Sequence, residues 1–359
     1  MKQRIEYIDL AKGFCILLVI LHHIEGPFEQ TDINRLLMPF RMPLYYFLSG
    51  FFFHRYAGFV NFTLRKINKL LVPCFFFLFI TYLFYSGIWL INGQYDSIFQ
   101  IPKNLLLSLS KDSIYLNTPL WFFVSLFEVS VIFYIITVIS ERLSIKFGGK
   151  KALMAIFCFS SGILGYEMGI YKIGLPFWLD TSITSIPFYY IGYFLIKETD
   201  FLSSNKLDKY IPIILVALGL IVYILADFSN NRTNVYHGNF IPFYLSAFSG
   251  TFFVLLLSKL IKKLPIVSVL GQYSGIVLGT HFTLILLLKK YLFFVNNDWL
   301  LTGIIFLIIS VVSVPVCRFF LRYFPKFIGQ KDLINTESQL SAKVFLICSM
   351  LIFLMFVTS

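Results

Sequence analysis

The sequence predicts an all-α, polytopic integral membrane protein, and three observations predict it. Of the 359 residues, 58% are hydrophobic and only 13% are charged, with a mean hydropathy of +0.80. Apolar runs of about twenty residues, the length that crosses a hydrocarbon core, follow one another along the chain. Lys and Arg gather in alternate connecting loops, as they do on the cytoplasmic side of a membrane.

Eleven candidate spans follow in order: 7–26, 36–53, 70–91, 119–139, 152–170, 181–196, 210–227, 240–258, 266–288, 299–317 and 343–358. The last is the most apolar. It stands apart after a polar stretch, so it reads as an addition to a core of ten. The expected division is therefore 1–325 as the transmembrane core and 326–359 as a cytoplasmic linker with an extra C-terminal helix. The longest gaps, 92–119 and 318–343, are loops too short to bury a core of their own. The first span is not expected to be a cleaved signal peptide. It carries Asp9 and Lys12, ends in His22-His23 and lacks a small-x-small site.

Orientation follows from the basic residues. With the N-terminus in the cytoplasm, 21 Lys and Arg fall on the cytoplasmic side and 7 on the outer side, and Lys12 and Arg41 lie within spans. This bias explains the net charge of +12 without nucleic acid. Cys15, Cys74, Cys158, Cys317 and Cys348 are scattered through apolar segments with no metal-ligand spacing, so no metal is expected. No internal repeat is visible, which argues against the duplicated halves of many secondary transporters.

The first span holds the strongest chemical signal. Lys12 and His23 are eleven residues apart, so on a helix they share a face, about 20° out of line and about 16 Å apart along the axis. Ionisable groups inside a span are costly and face a cavity or a partner. A long cytosolic anion could rest its head near Lys12 and bring its tip to His23. The competing readings are a snorkelling lysine and an interfacial histidine; His22 points about 100° away. Arg41, inside the second span, either serves the site or snorkels outward. His281 lies deep in the ninth span, where a backbone-bonded histidine competes with a site role. Arg65, Lys66 and Lys69 form a basic cluster before the third span, and positive-inside charge alone would account for them. Glu128 lies in the fourth span, and His237 in the outer loop 227–240 is expected to be solvated.

The motifs, taken in order, resemble membrane-bound acyltransferase family 3. Tyr7-Ile8-Asp9-Leu10-Ala11-Lys12-Gly13 leads to His23 with the family's spacing of a basic residue, ten residues, then histidine. Met42-Pro43-Leu44-Tyr45-Tyr46-Phe47-Leu48-Ser49-Gly50 is similar to its second-span signature. Arg65-Lys66-Ile67-Asn68-Lys69-Leu70-Leu71-Val72-Pro73, Leu120-Trp121-Phe122-Phe123 with Glu128, and Ser274 to His281 follow in the family's order. The resemblance runs from Tyr7 to about Arg322 and is closest to the fucose-acetylase-like branch. It departs in three places. Lys66 and Lys69 stand where the family often has two arginines. Arg41 stands where this branch often has a histidine. Glu128 sits two residues later after the tryptophan than in a more distant branch.

The resemblance implies an O-acyltransferase, with acetyl first among the acyl groups. Acyl-CoA, most simply acetyl-CoA, is the expected donor substrate, and no cofactor is bound permanently. The expected acceptor is a saccharide or lipid-linked saccharide beyond the bilayer. It implies His23, Lys12, Glu128 and His281 as catalytic candidates. Lys12, Arg65, Lys66 and Lys69 would hold the CoA moiety, and Arg41 and Trp121 would contact the acceptor. A bacterial cytoplasmic membrane is the expected location. The competing functions are a saccharide-precursor transporter or flippase, a polysaccharide polymerase or ligase, and a scaffolding subunit of a synthase.

Overall fold

The computed structural model describes residues 5–97, 116–201, 204, 206 and 208–335. It is a helical bundle: α1 (Glu6–Ile24), α2 (Asp32–Arg41), α3 (Pro43–Gly50), α4 (Phe59–Lys66), α5 (Val72–Ile91), α6 (Trp121–Phe147), α7 (Lys150–Ile170), α8 (Leu179–Glu198), α9 (Ile211–Leu225), α10 (Phe240–Ile261), α11 (Pro265–Gln272), α12 (Ser274–Tyr291) and α13 (Asp298–Tyr323). Among the described residues the strands are two short ones, β1 (Ser229–Asn230) and β2 (Val235–Tyr236), paired antiparallel between α9 and α10. Among the described residues, seven helices are long and apolar enough to cross a membrane, and an eighth span counts if α11 and α12 are taken together.

Three expected spans differ in form. The second breaks into α2 and α3 at Met42, because Pro43 starts a new helix and its ring clashes with the turn before it. The third begins earlier: α4 runs through a π-helical turn, Ile67–Leu71, into α5. Pro73 cannot donate to the Lys69 carbonyl, and the wider turn accommodates that missing bond. The ninth bends by 97° between α11 and α12. The sixth is the continuous twenty-residue α8, with Pro187 inside it and much of its length buried. The expected eleventh span, 343–358, lies outside the described residues.

Helix α1 is the axis of the bundle. It packs against α2, α3, α10, α11, α12 and α13. Glycines allow its tightest approach. A Cβ at Gly13 would collide with the Val267 carbonyl, and one at Gly271 would collide with the Asp9 carbonyl and the Gly13 amide. The backbones of α1 and α11 therefore touch, as small residues permit in membrane helices. Gly50 of α3 and Gly192 of α8 do the same for that pair, against Tyr189 and Phe47. The ends of the bundle differ in charge. One end carries the Arg55–Glu141–Lys150 and Lys151–Glu198 ion pairs and the pair Lys259–Asp208 at 2.8 Å. The other carries the β-hairpin and the end of α1.

Two glycine substitutions test this packing. Gly271→Val is expected to cost about 1–3 kcal/mol or more by overpacking, lowering the unfolding temperature of the detergent-solubilised protein. Gly303→Ala, at a helical site with open space around it, should leave that temperature unchanged or raise it.

Candidate functional site

The site is built at the end of α1. A cavity of about 530 Å³ opens there, lined by His22 and His23 of α1, Arg41 of α2, Trp121 of α6 and the hairpin residues Asn230 and Arg232, among others. Three candidates widely separated in sequence (His23, Arg41 and Trp121) thus share one wall. The volume lies within the roughly 300–1,000 Å³ of small-molecule pockets.

His281 completes the histidine's surroundings from α12. Its Nε2 lies 3.5 Å from His23 Nδ1, and the two rings meet edge to face with centroids 5.2 Å apart. Each ring also makes a 2.9 Å hydrogen bond through Nδ1 to the carbonyl one turn earlier, Val19 for His23 and Val277 for His281. A carbonyl oxygen only accepts, so both Nδ1 atoms carry the proton in the neutral rings. His281 Nε2 then presents a lone pair toward His23 Nδ1–H. His23 Nε2 is left basic, with its ring fixed by two neighbours. His281 is fully buried, whereas His23 is partly exposed to the cavity.

The bond between His23 and Val19 explains why eleven-residue spacing alone does not define the site. Between Lys12 and His23 the stripe is packed: Cys15, Ile16 and Val19 are at most 1% exposed. Lys12 sits at the other end of α1, with its Nζ 3.9 Å from the Phe52 ring centroid. His22 also lines the cavity, with Nδ1 4.0 Å from Glu29 Oε1.

Glu128 is placed elsewhere. It accepts a 2.6 Å hydrogen bond from Ser182, which joins Ser125 and Tyr46 in a chain of hydroxyls between α3, α6 and α8. That bond ties α6 to α8. The basic cluster is likewise remote from His23. The Arg65 guanidinium stacks over Tyr56 at 4.7 Å, Lys66 Nζ lies 5.6 Å from the Phe62 ring centre, and Lys69 is exposed on the π-helical turn. His237 is exposed beside a separate, smaller cavity.

Two features escaped sequence reasoning. The loop between α9 and α10 is a hairpin whose Asn230, Asn231 and Arg232 wall the cavity; the run Ser229-Asn230-Asn231-Arg232-Thr233-Asn234, rich in amides between two apolar spans, was the available signal. Asn68, within the basic cluster, is fully buried. Its side chain takes hydrogen bonds from the Leu333 and Ile334 amides and donates to the Ile334 carbonyl, clamping the chain beyond α13 against the π-helical turn. A lone asparagine among lysines carries no such signal. Among the described residues, no group of three His, Cys, Asp or Glu side chains is placed to hold a metal ion.

Comparison with known proteins places the chain. Residues 5–322 match the family model described as an acyltransferase domain. The chain belongs to this acyltransferase 3 family, and the match covers nearly all of the bundle. A short stretch is 33% identical to the inner membrane protein YcfT of Escherichia coli strain K12, covering 16% of this chain and 20% of that protein. The chain thus spans about a fifth of that relative. No solved structure matches.

The imidazole geometry makes a spectroscopic prediction. In ¹⁵N-histidine spectra of the protein at neutral pH, His23 should show a protonated Nδ1 and an unprotonated Nε2. His281→Ala should weaken that tautomer preference by removing one of its two supports. A protonated Nε2 in the unliganded protein would contradict the arrangement.

Proposed function

We propose that this acyltransferase 3 member moves an acyl group, acetyl in the simplest case, from cytoplasmic acyl-CoA to a hydroxyl of an extracytoplasmic saccharide. The acceptor is free or lipid-linked, as in surface polysaccharide modification by the fucose-acetylase-like branch. The N-terminus lies in the cytoplasm of a bacterial cell, and the bundle spans the cytoplasmic membrane. The observation that carries this reading is His23, which lines the cavity with its Nδ1 proton held and its Nε2 left as a base.

His23 acts as general base. The acceptor oxygen attacks the thioester carbonyl while His23 Nε2 takes the hydroxyl proton. The C–S bond then breaks, the ester forms, and the proton passes to the departing thiolate. The imidazolium is steadied by the Val19 carbonyl and by the His281 lone pair. His281 is a positioning residue, since it reaches the chemistry through His23. Trp121 offers an aromatic face to a sugar ring.

At the basic end, Arg65, Lys66 and Lys69 hold the phosphates of CoA. Lysines do this as point charges, without the fork of an arginine. Lys12, beside the Phe52 ring, is the next cation that the CoA arm would meet on its way along α1. The acyl arm reaches His23 when Cys15, Ile16 and Val19 or their facing helix give way. Glu128 holds α6 to α8 through Ser182 in this scheme and moves no proton.

A transporter would move a saccharide unchanged, so acyl-CoA consumption by the purified protein separates the two functions. His23→Ala is expected to lower acyl transfer by about 10²–10⁴-fold with the protein still inserted and folded. Normal turnover by that variant would remove His23 from the mechanism. Lys12→Ala should raise KM for acyl-CoA far more than it lowers kcat. Incubation with labelled donor alone should leave the protein unlabelled, because a general base forms no acyl-histidine.

A further inference from the structure

The cavity contains a cation that general-base chemistry leaves unexplained. Arg41 ends α2, is only 6% exposed, and lines the same cavity as His23. Among the described residues its side-chain hydrogen-bond partner is the neutral Asn34 Oδ1, at 3.3 Å, and the Glu29 carboxylate on the same wall acts on it electrostatically without an ion-pair contact. A guanidinium has five N–H donors in a rigid fork. Taking such a charge out of water costs several kcal/mol unless an anion or a set of acceptors replaces the water. Other basic groups have carboxylates: Arg55 and Lys150 share Glu141, Lys259 pairs with Asp208, and Lys289 lies 3.4 Å from Glu25.

The rest of the lining has the same bias. Arg232 brings a second guanidinium, and among the described lining residues Glu29 is the carboxylate. Asn230 and Asn231 add side-chain amides to the wall; the Asn230 Oδ1 accepts from the Arg232 and Thr233 amides, which leaves its NH2 group to donate. Trp121 supplies a ring face. Such a wall suits a polyhydroxylated ring bearing an anionic oxygen group.

We infer that the acceptor is an acidic saccharide, and that Arg41 binds its carboxylate or phosphate group while a neighbouring hydroxyl is presented to His23. The fork of Arg41 matches either oxyanion in two-point fashion. This inference rests on the proposed acyl transfer for the role of the hydroxyl, but the binding it describes stands apart from transfer.

The test therefore reads binding. Full-length protein in detergent is titrated with matched methyl glycosides: glucose against glucuronate, galactose against galacturonate, mannose against mannuronate, and each neutral sugar against its 6-phosphate. Dissociation constants come from ligand-observed NMR. At least one acidic member should bind about ten- to a hundredfold more tightly than its neutral parent, the size of a charge-assisted bond, and added salt should erode that margin. The uronates and the phosphates report separately which oxyanion is taken. Arg41→Gln should bring the pair to within about threefold, and Arg41→Lys should restore part of the preference. His23→Ala should keep it. Equal binding of acid and neutral in every pair, or failure of every acid to bind, overturns the inference without any variant. So does a preference that persists in Arg41→Gln. If the acid preference holds while acyl-CoA is never consumed, the binding site stands and the transfer reading falls.

Discussion

The site depends on one contact between backbones. Gly13 and Gly271 let α1 and α11 touch, and any Cβ at either place would meet main chain. With α11 seated there, the chain turns by 97° at Tyr273 and leaves as α12 in a new direction. That direction carries His281, eight residues on, to the side of His23. No feature of either histidine alone produces the pair. It follows from a glycine contact about 15 Å along α1 from His23 and from the rigidity of the α-helices between.

This arrangement divides the molecule's polar chemistry into two places. One is the cavity at the end of α1, with an oriented imidazole, a buried guanidinium, amides and an indole. The other is the π-helical turn with its three basic residues, held at Asn68 to the chain after α13. Between them α1 presents Cys15, Ile16 and Val19, all packed. In the proposed transfer such a packed interval would keep a thioester and an alcohol apart until the packing along this seam changes.

The fold class was legible because membrane burial writes itself into composition: twenty-residue apolar runs alternating with one-sided Lys/Arg loops are what a bilayer solvent selects. Most span boundaries emerge within a few residues for the same reason. The breaks were less legible. Pro43 ends a helix as prolines do, and its effect on the second span could have been read. The 97° bend between Gln272 and Ser274 has no proline or charge to mark it; it arises from how α11 docks on α1, a tertiary cause. Helical spacing placed Lys12 and His23 on one stripe but said nothing of the side chains filling it. The wall of the cavity was the least legible, since it joins α1, α2, α6 and a loop that lie far apart in the chain.

The two histidines show how a buried pair can be sorted into roles without a carboxylate. Both rings are in the same tautomer because each Nδ1 is tied to a carbonyl of its own helix, one turn back. Symmetry between them is broken by surroundings. His281 is enclosed on every side, and its free nitrogen faces another ring. His23 keeps part of its surface toward the cavity, so its free nitrogen is the one a substrate hydroxyl can meet. A third histidine, His22, shares the cavity and meets the His23 ring edge to face at 5.1 Å, but its Nδ1 lies 4.0 Å from Glu29 Oε1 rather than on a carbonyl one turn back. In the proposed mechanism the base is therefore the ring with support behind it and open space before it. Both conditions are set by the helix that α11 turns into place.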